Sequence, residues 1–345
     1  MQQDHSISPG SRILITLAAF VVLVAGVREA RELLVPFLLS AFIAIIAAPP
    51  LFFLQRKKIP FGIALALVIG VVVVAAVLFG ALVGNSIDNF SAQLPFYQER
   101  LNGQTASLLA WLADMGISIP QQTVSKLMDP AKVMQMAAVG LSSLGGLLTN
   151  TFLILLTVIF ILLEASGFPA KLSHILQNPV SGMQRFQSFL DNINHYMAIK
   201  TATSALTGIL VFIWLWVVGV DYPVLWGTLA FLLNFVPNIG SIIASVPALL
   251  LALVQLGIGG ALWSLLGYVL INVGVGNLIE PRFMGRGLGI STLVVFISLV
   301  FWGWILGPVG MFLSVPLTMM IKISLDSSDE TRWIATLLGP EVQEK

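Results

Sequence analysis

The chain lacks cysteine, holds three histidines and is poor in charged residues. Without cysteine it forms no disulfide and no cysteine metal site. The histidines, His5, His174 and His195, are too scattered for a metal cluster, so we expect no metal. Charged residues make up 10% of the 345, against about 25% in soluble domains. The net charge of +1 gives no basic surface for nucleic acid.

Sequence motifs of common enzymes are also missing. There is no Gly-x4-Gly-Lys-Ser/Thr phosphate loop and no His-Glu-x-x-His zinc motif. The glycines at 285, 287 and 289 do not match the dinucleotide-binding fingerprint, and no predicted strand precedes them. We therefore predict a protein that is not an enzyme and needs no cofactor.

What the sequence has instead is apolar surface. Hydrophobic residues make up 57%, and the mean hydropathy is +0.96. A membrane-spanning helix needs about 20 apolar residues, so the chain has room for several. The composition predicts an all-α polytopic membrane protein in the lipid bilayer, with about eight membrane segments, two of them broken by proline and glycine.

The apolar runs divide the chain into successive parts. We predict three N-terminal spans in 1–84, a periplasmic helical segment in 85–149, a fourth span in 150–164, a cytoplasmic amphipathic helical segment in 165–200, a membrane core in 201–325 and a cytoplasmic tail in 326–345. The orientation rests on the basic loop 55–60, which is cytoplasmic by the positive-inside rule. Both termini are then cytoplasmic.

The two extramembrane segments carry helical patterns of their own. Asp129-Pro130 and Asn178-Pro179 are typical helix starts. The apolar stripe of 165–200 is compatible with a helix lying at the membrane interface or with a helical hairpin beneath the bundle.

Two long apolar segments carry interruptions. Residues 224–256 and 291–323 are each about 33 residues long, roughly 50 Å as one helix, which is too long for a simple span. Each is either a re-entrant hairpin or a long tilted helix. The hairpin interpretation puts the loop holding Arg282 and Arg286 in the cytoplasm, as the positive-inside rule favours. Both segments also contain Ser-Val-Pro, ending at Pro247 and Pro316, a weak sign of an internal repeat.

Polar residues around the first interruption are the candidate site. They are predicted to line a path for a small uncharged polar solute, with hydrogen bonding between helices as the alternative: Asn234, Pro237, Asn238, Gly240, Ser241, Asn272 and Asn277. Glu280 and Arg282 form the neighbouring acid–base pair, which is either a proton or sodium relay or a surface pair. Hinge or gate candidates are Pro247, Gly303, Gly307, Pro308, Gly310 and Pro316.

A run of motifs resembles a known family. Asn234-Phe-Val-Pro-Asn-Ile-Gly240, Asn277-Leu-Ile-Glu-Pro-Arg282, the Gly-Leu-Gly-Ile-Ser-Thr of 287–292, the Phe-Trp-Gly-Trp-Ile-Leu-Gly-Pro-Val-Gly of 301–310 and Ser314-Val-Pro316 are similar to the autoinducer-2 exporter family of bacterial inner-membrane proteins. The resemblance covers nearly the whole chain.

That resemblance implies export of autoinducer-2, a small furanone-derived signal, from the cytoplasm. It implies an effect on biofilm formation and motility through the intracellular signal level. It also implies a homo-oligomer, with a pentamer as one form. Similar proteins are linked to sodium–proton exchange, so a proton or sodium gradient is a candidate partner.

Three functions follow in order of preference. The first is export of a small polar signal through the interrupted region. The second is a cation–proton antiporter that uses Glu280 and Arg282. The third is a signalling or scaffold membrane protein without transport, which rests on the 85–149 segment.

Overall fold

The computed structural model describes residues 9–116, 151–165, 167–168, 171, 174, 179–237, 239–284, 289–326 and 329–339. Within these residues the chain forms helices and turns and no strand. The predicted helix start at Asp129-Pro130 lies outside the described residues.

The described helices follow one another with short connections. They are α1 (Pro9–Glu29), α2 (Arg31–Arg56), α3 (Phe61–Asp114), α4 (Thr151–Ala165), α5 (Pro179–Val218), α6 (Pro223–Leu233), α7 (Gly240–Ile271), a π-helical segment (Asn272–Ile279), α8 (Glu280–Met284), α9 (Thr292–Leu306), α10 (Pro308–Asp326) and α11 (Arg332–Leu337).

Five helical stretches are long and apolar enough to cross a membrane: Arg31–Arg56, Phe61–Phe90, Leu190–Val218, Gly240–Phe283 and Pro308–Asp326. Three shorter apolar helices are α4, α6 and α9. Their apolar side chains are largely exposed, because lipid rather than protein surrounds such helices. The prediction of an all-α polytopic membrane protein is confirmed.

Helix ends differ from the predicted segment borders in three places. α3 is a single helix of 54 residues, so no break separates a span ending at 84 from the segment after it. α5 is a single helix of 40 residues, so the predicted border at 200 falls inside it. The predicted loop from 276 onward is helical through Met284. Polar residues mark where a helix leaves the bilayer, but they do not end it, which takes a glycine, a proline or a cap.

The chain folds into two compact units. Residues 1–43 and 290–345 form one, which we call the terminal unit, and residues 44–289 form the other, the central unit. The terminal unit has a small core of Val24, Ile305 and Leu306. The larger core of the central unit centres on Trp226, Leu225 and Leu251, which are fully buried.

The second interrupted segment is a helical hairpin inside the terminal unit. α9 and α10 pack against each other. They are joined at Gly307, whose φ of 72° is a conformation that favours glycine. Across the hairpin, Trp302 Nε1 donates to Thr318 Oγ1 at 3.0 Å. Four of the hinge candidates, Gly303, Gly307, Pro308 and Gly310, therefore lie at one bend.

Candidate functional site

The first interruption is a tight bend between α6 and α7 in the central unit. α6 ends at Leu233, and α7 begins at Gly240 and packs back on α6. A Cβ atom at Gly240 would lie 1.7 Å from the Leu233 carbonyl oxygen, so only glycine fits this close approach. Backbone groups inside the bend are satisfied locally: the N–H groups of Phe235 and Val236 donate to Leu232 and Leu233. The bend therefore tolerates an apolar surrounding.

A second break ends the first arm of α7. Gly257 has φ 75° and ψ −168°, which interrupts the helix one residue after the predicted end of the segment at 256. Pro247, a hinge candidate, lies buried inside the arm between the two breaks. The segment 224–256 is thus two helices joined by a bend, as the hairpin interpretation requires.

α5 presents a polar stripe to this bend. Lys200, Thr203, Ser204 and Thr207 recur at helical spacing and are all at least nine-tenths buried. Asn234, at the end of α6, donates from Nδ2 to Ser204 Oγ at 3.0 Å. One turn further along α5, the Thr207 hydroxyl is buried without a hydrogen-bond partner among the described residues.

Two glycines bring α5 and α6 into contact. A Cβ atom at Gly208 would lie 2.7 Å from the Gly227 carbonyl oxygen, and one at Gly227 would lie 2.7 Å from the Gly208 carbonyl oxygen. Such reciprocal small-residue contact lets backbones approach closely in membranes. It fixes the polar stripe beside the α6–α7 bend.

The third wall is the π-helical segment that follows α7. Its last turn delivers Glu280 with the i→i−5 hydrogen bond of a π-helix, from Glu280 N to the Val275 carbonyl. The segment and α8 pack against α5. π-helical turns are rare and frequently occur at functional sites.

Glu280 and Lys200 meet in this wall as a buried ion pair. Lys200 Nζ lies 2.7 Å from Glu280 Oε1 and 3.0 Å from Oε2. The side chains are only 6% and 15% exposed. The Thr203 hydroxyl lies 3.4 Å from the second carboxylate oxygen. Lys200 lies ten residues inside the Leu190–Val218 stretch, about 15 Å along the helix axis.

The pairing corrects the partner that the sequence suggested. Arg282 was the expected base for Glu280, but its side chain is exposed, and Glu280 instead pairs with Lys200. Residues two apart on a helix do not face each other. Lys200 was assigned to the polar side of an amphipathic segment. The signal that identifies it is its place at the head of the buried stripe 200, 203, 204 and 207.

The structure separates the remaining candidates. Asn272 opens the π-helical segment and is half-buried, whereas Asn277, in the same segment, is exposed. Pro237 and Ser241 are half-buried at the bend. Asn238 lies outside the described residues. Pro316 is buried in α10, in the terminal unit, with the other candidates of the second hairpin.

The assembled groups are polar but electrically balanced. One ammonium, one carboxylate, two hydroxyls and an amide converge on two neighbouring turns of α5, about 6 Å apart along its axis. Together they can donate to and accept from a solute bearing hydroxyl or carbonyl groups. No group of three metal-binding side chains occurs in the part of the chain that the structure describes.

Comparison with known proteins gives one consistent match. The family model described as AI-2E family transporter matches residues 15–329. The AI-2 transport protein TqsA of Escherichia coli is 41% identical over 330 residues, 96% of each chain. A putative transport protein of Haemophilus influenzae is 39% identical over 95% of this chain and 96% of its own. The putative transport protein YhhT of Escherichia coli is 34% identical over 99% of this chain and 97% of its own.

Proposed function

Because the chain belongs to the AI-2E family of transporters, it is a membrane transporter rather than an enzyme, and we propose that it exports a small uncharged polar signal of the autoinducer-2 type. The substrate class comes from the printed name of the relative in Escherichia coli. Export would lower the intracellular signal level and so affect biofilm formation.

The observation that carries the proposal is the buried Lys200–Glu280 pair beside the α6–α7 bend. Ionisable residues inside a membrane are expensive and usually mark a substrate or ion pathway. Their sum here is neutral, which suits a solute without net charge. Asn234, Ser204 and Thr203 add the hydrogen-bonding groups that a polyhydroxylated solute needs when it loses its water shell.

The breaks on either side of the site supply a means of movement. α7 is interrupted at Gly240 and Gly257, and the π-helical segment follows it. Interrupted helices beside a binding site are usual in transporters. We propose that the bend at Pro237–Gly240 opens and closes access to the pair, with Ser241, Asn272 and Asn277 along the path.

The setting follows from the same proposal. The chain would lie in the bacterial inner membrane with both termini in the cytoplasm, as the basic loop 55–60 favours. It would work as a homo-oligomer. Glu280 is the group that would couple transport to a proton or sodium gradient.

The experiment is transport by the purified chain in proteoliposomes. Labelled autoinducer-2 would be loaded inside or outside, with an imposed proton gradient, an imposed sodium gradient or none. We expect movement above empty liposomes, and stimulation by a gradient would identify the coupling ion. No movement of the signal, together with sodium–proton exchange, would overturn the proposal in favour of an antiporter.

A further inference from the structure

A second polar site lies in the terminal unit, away from the residues of the transport proposal. The junction of α1 and α2 borders a cavity of about 740 Å³, within the range of small-molecule sites. Its lining joins the end of α1 and the start of α2 to Phe301 and Trp304 of α9. The cavity is half open to the surroundings of the protein.

Four charged side chains line this cavity, two of each sign: Arg28, Arg31, Glu29 and Glu32. Among the described residues none of them forms a salt bridge with another. Arg28 instead lies over the ring of Trp304, 4.8 Å from its centroid. A stacked guanidinium keeps the N–H groups at its edge free to bind an anion.

The rest of the lining is apolar. Phe20, Val21 and Trp304 are more than half exposed, and Phe20 stacks on Phe301 with 6.4 Å between ring centroids. The cavity therefore joins an apolar wall to a charged end. Arginine and tryptophan at such a boundary are typical of the membrane–water interface.

We propose that this cavity binds a phospholipid with a zwitterionic ethanolamine headgroup. The phosphate lies between the Arg28 and Arg31 guanidinium groups, and the ammonium lies between the Glu29 and Glu32 carboxylates. The start of the acyl chains covers Phe20 and Phe301. An anionic headgroup would satisfy the two arginines but would face the two carboxylates without a cation, so the charge pattern selects a zwitterion.

The test is native mass spectrometry of the full chain in detergent. Phosphatidylethanolamine and phosphatidylglycerol with identical acyl chains are added at equal concentration. We expect the wild-type chain to retain phosphatidylethanolamine in preference. Arg28→Gln/Arg31→Gln should weaken that binding by about tenfold or more, because each arginine makes a charge-assisted hydrogen bond to the phosphate.

The decisive variant is Glu29→Gln/Glu32→Gln. It removes the partners of the ammonium and leaves the two arginines, so the preference should reverse toward phosphatidylglycerol. Lys57→Gln/Lys58→Gln, in the α2–α3 loop, removes two charges elsewhere and is the matched control. An unchanged lipid ratio in the glutamate variant, or an equal effect in the control, would overturn the proposal.

Two further outcomes would also overturn it. Soluble glycerophosphoethanolamine that displaces the lipid when present at an equal concentration would mean a site for a free solute. A change of oligomeric state in the glutamate variant, with lipid adducts unchanged, would mean that a second copy of the chain covers the cavity. Neither the proposal nor its test depends on transport of the signal, so the two can fail separately.

Discussion

At the scale of single residues, the Lys200–Glu280 pair is the feature that packing alone explains least. Burying two charges costs several kcal/mol each, and their attraction recovers this only with good geometry and further hydrogen bonds. Both carboxylate oxygens lie within 3.0 Å of the ammonium, and Thr203 lies close by. Such a pair contributes little net stability, so its presence inside a membrane segment points to function.

Breaking the pair on one side should be costly. Lys200→Met leaves a buried carboxylate unpaired, and Glu280→Gln leaves a buried ammonium, so we expect each to destabilise by about 3–5 kcal/mol. The double variant should recover much of this loss, because neither charge remains. Thermal melting in detergent, followed by tryptophan fluorescence, measures the difference. Melting of both single variants at the wild-type temperature would contradict the buried pairing.

At the scale of elements, the two hairpins use the same device at their bends. Gly240 lies against the Leu233 carbonyl, and Gly310 lies against the Trp302 carbonyl, where a Cβ atom would come within 2.0 Å. In each hairpin a glycine of the second helix meets the last turns of the first. The bends are therefore fixed by close backbone contact rather than by proline alone.

Substitution of these glycines should be destabilising. Gly240→Ala and Gly310→Ala each force a methyl group into a carbonyl oxygen, and we expect a loss of about 1–3 kcal/mol from overpacking. Gly70→Ala is the control, since nothing lies within 4 Å of a Cβ atom there. Because alanine favours a helix by about 1 kcal/mol over glycine, the control should melt at the wild-type temperature or above. Equal melting of all three variants would contradict the close contacts.

A third element-scale feature ties α3 to the turn between α5 and α6. Tyr97, beyond the Phe61–Phe90 stretch of α3, donates from its hydroxyl to Asp221 Oδ2 at 2.8 Å. Phe90 contacts Trp226 edge-on with 5.5 Å between centroids. Trp226 in turn donates from Nε1 to the Asp221 carbonyl at 2.9 Å. This joint holds the long α3 helix to the central unit.

Removal of the Tyr97 hydroxyl tests the joint. Tyr97→Phe should cost about 1.5–3 kcal/mol, the worth of a hydrogen bond to a charged group. Burial, reinforced by the Asp221 hydrogen bond and charge, raises the pKa of Tyr97. Its neutral form therefore stabilises the fold below about pH 10, and that stability is lost at higher pH, where the unfolded phenol ionises. Melting temperature should fall more steeply above pH 10 in the wild type than in Tyr97→Phe. Parallel pH profiles would contradict it.

At the scale of the whole molecule, the sequence predicts the membrane class and the bends well. Hydropathy locates the apolar helices because a bilayer demands long apolar runs. Pro237 and Gly240, and Gly307 and Pro308, predict the interruptions because both residue types disfavour a continuous helix. The loop at 55–60 is likewise a turn between α2 and α3.

Long-range pairing was beyond sequence reasoning. Lys200 and Glu280 are 80 positions apart, and nothing in either local pattern specifies the other. Arg282 was the nearer base in sequence, yet helical geometry turns it away. The continuous α3 and α5 helices were missed for a related reason: their length depends on the joint at Tyr97 and on the packing of α5 against α8, which are tertiary contacts.

The most direct test of the central claim compares transport by two pairs of lysine and glutamate. Lys200→Met/Glu280→Gln removes the buried pair, and Lys171→Met/Glu164→Gln removes an exposed pair in the same unit. Both variants keep the net charge of the chain. Efflux of labelled autoinducer-2 would be measured in proteoliposomes holding equal amounts of folded protein. The account predicts that the buried-pair variant loses transport while the exposed-pair variant transports as the wild type does. Equal transport by both variants would contradict it.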